Sequence, residues 1–371
     1  MRIEALTFFR FLAATIVIIF HFGKSTDIAK SLNPFILSGS QMVTFFFVLS
    51  GFVLMISHYH KPTETLQKFY LSRVARIVPL YMIALFIMVY FEFGRENSNT
   101  MAMILSISFL QSWFPPYALS YNIPGWSLSV EAFFYLTFPF IIFVIKHSKI
   151  QIATLTIFSM LFYIFTQAIL SHYMSHKLYD SWPSIFHDTV HYSPLFHYCS
   201  FILGVTGGYI YVQKKVYFNK KGFSSFLPMF FTLYLTYYFL QHPDFLTTLL
   251  GIPLAYKSSF YSFLFILLIL SIAYSNNIIT KILSFRLFVI LGEISYAMYI
   301  LQQPIYVTYN KYISDYLQLN TNNDFYTYFV LLLLISILAF YLIEKPANYF
   351  IKNKLPLYYR KITNKKILSL H

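Results

Sequence analysis

Charge is what this 371-residue chain has least of: only 11% of its residues are Asp, Glu, Lys or Arg, against roughly a quarter in ordinary soluble domains. That scarcity excludes a water-facing surface over most of the chain. Cysteine is nearly absent too. Cys199 stands alone, so it cannot close an internal disulfide, gives no redox compartment, and reads as a small apolar packing residue. Internal repeats, low-complexity blocks and Pro/Gly-rich linkers are also missing. Nothing divides the chain, and one domain is expected where a soluble protein of this length would split in two. A cleavage site is lacking as well: Met1 and Arg2 lead into an apolar stretch, but Arg10 interrupts it and no small-residue site follows, so it reads as an uncleaved first span.

What is present is apolar side chain, 58% of the sequence. A spanning helix needs ~20 mainly apolar residues. Ten segments qualify, at about 5–23, 36–57, 73–92, 126–146, 150–171, 195–213, 223–240, 258–275, 286–308 and 326–345. The expected fold is therefore all-α, a polytopic transmembrane helix bundle with a membrane domain over 1–350 and a basic tail over 351–371. Two further apolar stretches, near 101–112 and 245–256, are too short to span. They are expected as re-entrant or interfacial pieces, tolerable where protein or a cavity covers the backbone. Pro115, Pro116, Pro124 and Gly125 predict a broken path and a cavity just before the fourth span.

The net charge of +14 does not point to nucleic acid, because the basic residues sit in short clusters between apolar segments rather than on one patch. Lys214, Lys215, Lys220 and Lys221 form one cluster; Lys352, Lys354, Arg360, Lys361, Lys365 and Lys366 form the tail. The positive-inside rule places both in the cytoplasm. An even span count then puts both termini there, with the chain in the cytoplasmic membrane.

Ionisable residues inside spans are functional candidates by default. Arg10 and His21, eleven positions apart in the first span, return to nearly one helical face, ~16 Å apart along the axis. They either line one polar path or sit at the membrane interfaces as snorkelling side chains do. Glu131 lies near the outer end of the fourth span, i,i+4 to Ser127 on one face. It is expected to meet His21 at similar depth, or else to pair structurally with a basic residue. Arg73 and Arg76 share a face at the start of the third span. Topology alone accounts for positive charge there, and two guanidiniums on one face also suit phosphate. His172 with His176, and His187 with His191, have i,i+4 spacing but no strong ligand motif, and no metal is expected. Gln302, Gln303 and Pro304 interrupt the ninth span, where they would line a cavity or serve packing.

In their order and spacing these residues resemble acyltransferase family three, polytopic membrane enzymes that acylate surface glycans and related acceptors. Arg10 and His21 fit its arginine-ten-residues-histidine motif, Phe47-Val48-Leu49-Ser50-Gly51-Phe52 its second-span signature, and Arg73-Val74-Ala75-Arg76 its paired-arginine motif. Trp126-Ser127-Leu128-Ser129-Val130-Glu131 matches another. Gly292-Glu293-Ile294-Ser295-Tyr296 and Glu344-Lys345-Pro346 resemble its late markers.

The resemblance implies an O-acyltransferase that takes an acyl group, acetyl by expectation, from cytoplasmic acyl-CoA to a hydroxyl of a polysaccharide, lipopolysaccharide or other extracytoplasmic acceptor. Arg73 and Arg76, with Arg10, would hold the donor's phosphates. His21 would act as base or nucleophile, with Glu131 orienting it. The alternative is an exporter or flippase of a lipid-linked glycan, since buried charges and discontinuous segments also mark transport sites. Transporters often show two related halves, and none are visible here.

Overall fold

The computed structural model describes residues 3–61, 65–92, 99–176, 179, 184–218, 220–221, 225–255 and 257–354. Ten helices of 13 residues or more run through it: α1 (Glu4–Phe22), α2 (Gln41–His58), α3 (Leu66–Glu92), α4 (Gly125–His147), α5 (Ile152–Met174), α6 (Pro194–Phe218), α7 (Phe226–Gln241), α8 (Ser262–Tyr274), α9 (Arg286–Tyr309) and α10 (Thr321–Ala339). The only strands among the described residues are two-residue pieces, Lys220–Lys221 beside Ser275–Asn276.

Seven helical stretches are long and apolar enough to cross a membrane: Glu4–Phe22, Ile36–His58, Leu66–Glu92, Gly125–His147, Ile152–Met174, Ile185–Lys214 and Thr321–Lys354. The chain is thus an all-α polytopic bundle. The shortfall from ten lies in α7, α8 and α9. The first two have 16 and 13 residues, below the ~20 that hydrocarbon thickness demands, while α9 has 24 but is made less apolar by Glu293, Gln302 and Gln303. Each of the ten expected segments nonetheless holds a helix. The tail cluster at Arg360, Lys361, Lys365 and Lys366 lies outside the described residues.

Two ends of the bundle can be told apart by their ties. At the base, Lys146 Nζ near the end of α4 donates to the carbonyls of His58, the last residue of α2, and Lys61 just beyond it, at 3.1 and 3.2 Å. At the crown, Asn322 Nδ2 at the start of α10 donates to Asp27 Oδ2 just beyond α1, at 2.6 Å. α1 and α3 begin at the base; α4 begins at the crown.

The stretch before α4 takes the broken path that its prolines predict. After a short helix, Thr100–Ile107, residues 108–124 hold only a three-residue 3-10 turn at Gln111–Trp113. Side chains replace the hydrogen bonds that a continuous helix would make, as buried backbone requires. Gln111 Nε2 donates to Gly125 O at 2.8 Å, Ser112 Oγ to Trp126 O at 2.8 Å, and Ser129 Oγ to Phe109 O at 2.6 Å.

Pro304 completes this anchorage from α9. Lacking an N–H, it cannot serve the carbonyl of Ile300 four residues back, and that oxygen instead accepts from Asn122 Nδ2 at 3.1 Å. Gln303 Oε1 accepts from the Ile123 N–H at 2.6 Å, and its Nε2 donates to Tyr121 O at 3.2 Å. The Gln303-Pro304 pair therefore docks the loop that sets the start of α4. The second short stretch holds the six-residue helix Phe245–Leu250.

Candidate active site

A cavity of about 410 Å³ opens among the base ends of α1, α2, α3 and α9, the body of α4, and the helix that continues α10. Its charged lining is Arg10 from α1, Arg73 and Arg76 from α3, Glu131 from α4, Glu293 from α9, and Glu344 with Lys352 from the continuation of α10. A smaller recess of about 60 Å³ shares Arg10, Phe46, Arg76, Glu131 and Tyr135 with it and reaches Ser127, Leu128 and Tyr299 toward the crown. The two form one tapering space.

Local sequence explains how each group arrives there. Arg73 and Arg76 are three apart, one helical neighbourhood, and both face the cavity. Arg73 lies over the rings of Phe69 and Tyr135, each 5.7 Å from the guanidinium carbon, and its Nε donates to Ser72 Oγ at 3.2 Å. Ser127 and Glu131 both line the recess, as i,i+4 spacing dictates, and Tyr135 extends the same stripe by another four. α1 comes close to α9 because Gly292 has no side chain. A Cβ there would strike the backbone carbonyl of Thr7, one turn before Arg10.

Among the described residues no ion pair joins Arg10 or Arg76 to Glu131 or Glu344, although each feels the others' charge. The cavity holds the two signs apart. Glu344 Oε2 is buried without a hydrogen-bond partner. Guanidiniums gathered around open space suit an anionic ligand with planar oxygens, phosphate above all.

His21 lies elsewhere. It is exposed in the last turn of α1, with ring neighbours Phe20 and Phe22 at 5.0 and 6.0 Å, and it is not among the residues lining the cavity. The expected meeting with Glu131 does not occur. Glu131 stands ~9 Å below the start of α4, which brings it level with the arginines, whereas His21 is ~16 Å further along α1 than Arg10. The structure brings together Arg10, Arg73, Arg76 and Glu131 and leaves His21 at the crown.

Comparison with known proteins decides the class. The family described as an acyltransferase domain, acyltransferase family three, matches residues 3–345. The chain belongs to this acyltransferase family. It is also similar to acyltransferase MdmB of Streptomyces mycarofaciens, 33% identical over 151 residues, 37% of this chain and 38% of that protein. The chain thus matches well under half the length of that curated relative. No solved structure matches.

For a membrane acyltransferase, the lining groups the sequence left without a role become relevant. Tyr135, Glu293, Glu344, Asn348 and Lys352 all face the cavity. Glu344 had a visible signal, as an ionisable residue inside an apolar span. Asn348 and Lys352 had none, since they follow the span and looked topological. Among the histidine pairs, His187 and His191 do share a helix, Ile185–Tyr192. His187 Nδ1 lies 3.2 Å from Asp188 Oδ1, and His191 Nε2 lies 3.0 Å from Tyr179 Oη.

Proposed function

We propose that this acyltransferase moves an acyl group, acetyl by preference, from cytoplasmic acyl-CoA to a hydroxyl of a surface polysaccharide, lipopolysaccharide or similar extracytoplasmic acceptor. The observation that carries the reading is the cavity walled by Arg10, Arg73 and Arg76 at one end of a membrane acyltransferase. In this reading the chain crosses the cytoplasmic membrane ten times, and the base, with both termini, faces the cytoplasm. Basic loops at His58–Lys68, Lys146–Lys149 and Lys281–Arg286 support that orientation.

The donor's phosphates bind the arginines at the base, and the neutral pantetheine arm runs up the taper past Glu131 and Tyr135. His21, at the crown end of α1, takes the proton from the acceptor hydroxyl as that oxygen attacks the thioester carbonyl. The carbonyl carbon gains the new ester bond, its bond to sulfur breaks, and CoA leaves as thiol after taking up a proton. Histidine suits this role because its charge changes near neutral pH. Glu131 acts at a distance from His21, holding the arginine side of the space in charge balance.

Reconstitution tests the reading: pure protein in liposomes, labelled acetyl-CoA enclosed at the base side and candidate glycans on the other. Label appearing on the glycan is the expected result. Movement of a glycan across the bilayer without consumption of acetyl-CoA would overturn it in favour of an exporter.

A further inference from the structure

The chain beyond α10 does not fray into a tail. It continues as a π turn at Phe340–Glu344, an α turn at Lys345–Tyr349 and a second π turn at Phe350–Lys354, packed against α3. Pro346 gives a local reason for the first π turn, because it cannot donate to the carbonyl four residues back and its ring presses against that carbonyl.

The alternation has a geometric effect. In an ideal α-helix each four-residue step overshoots a full turn by ~40°, so three steps swing a side chain by ~120°. π turns hold more residues per turn and cancel that drift. Phe340, Glu344, Asn348 and Lys352, four apart each time, consequently all line the one cavity. From depth to mouth the stripe reads apolar, anionic, neutral, cationic. Glu344 is 9% exposed, and its Oε2 is left without a partner.

That order matches a ligand with an anionic end and a long neutral arm. Within the stripe the cationic end lies at the mouth beside Arg73, so Lys352 adds to the positive charge of the three arginines there, while anionic Glu344 sits deeper, along the path of the neutral arm. We propose that this stripe is a wall of the donor site, and that Lys352, with Asn348 beside it, binds the phosphorylated nucleotide end of acyl-CoA. The inference rests on the acyl-CoA reading above and adds Lys352, which the sequence placed in the basic tail beyond the membrane domain.

Calorimetric titration of the full chain in nanodiscs, with CoA and with pantetheine as separate probes, tests it without an acceptor. Lys352→Ala should weaken CoA about tenfold, the scale of one charge-assisted hydrogen bond, and leave pantetheine unchanged. Lys352→Arg should restore CoA affinity. Unchanged CoA affinity in Lys352→Ala, or equal weakening of both probes, overturns the role of the stripe. If the wild-type protein binds no CoA, the donor reading itself fails. If wild type binds CoA and Arg73→Ala weakens it while Lys352→Ala does not, only the present inference fails.

Discussion

Gly51 of α2 and Gly204 of α6 face each other where the two helices cross, and a methyl group on either would strike the opposing backbone: Phe201 O from Gly51, Val48 O from Gly204. Small residues at helix crossings let backbones approach when lipid supplies no hydrophobic drive for association. The crossing fixes the α2 face that gives Phe46, Leu49 and Ser50 to the cavity.

Gly204→Val is therefore expected to destabilise by overpacking, about 1–3 kcal/mol or more where the neighbour is rigid backbone. A thermal-unfolding scan in detergent should show a fall in midpoint of several degrees. Gly251, whose would-be Cβ meets nothing within 4 Å, serves as the contrast. There φ is +66°, so Gly251→Ala should cost only the left-handed backbone penalty, about 1–2 kcal/mol.

His21→Ala should abolish acyl transfer while expression and CoA binding persist, since His21 is far from the arginine cavity. A loss of roughly 10²–10⁴ in turnover is the range for a general base. Full activity in the purified variant would remove His21 from the mechanism.

Arg76→Lys should fail to restore what Arg76→Ala loses. Lysine keeps the charge but not the planar fork that grips phosphate in two places. Titration with CoA is the readout, and affinity at the wild-type level in the lysine variant would show that charge alone suffices.

Gln303→Ala should release the loop before α4. It removes an acceptor for Ile123 N–H and a donor to Tyr121 O. Hydrogen exchange at Ile123 should quicken while exchange in the middle of α6 stays slow.

Much of this was legible in the sequence because membrane helices announce themselves by length and apolarity. The ten long helices fall where hydropathy places them, and the pairs Arg73 with Arg76 and Ser127 with Glu131 share faces as helical spacing requires. Depth was harder. His21 and Glu131 were both assigned to the outer half from their distance to helix ends. Yet the loop at 108–124 sets where α4 starts, and its position depends on long-range hydrogen bonds from Asn122 and Gln303 that no local pattern encodes. The stripe ending at Lys352 was hidden for a related reason. Its four-residue repeat looks like noise unless the π turns are known.

The taper of the cavity ends at Tyr299, whose Oη donates to Ser127 Oγ at 2.9 Å, between side chains that are 7% and 5% exposed. A space lined by three arginines and running clear through a bilayer would conduct anions and dissipate the membrane potential. In the reading proposed above, an acceptor entering the taper from the crown would have to part these two hydroxyls and let them rejoin, so turnover and electrical insulation would compete for the same pair.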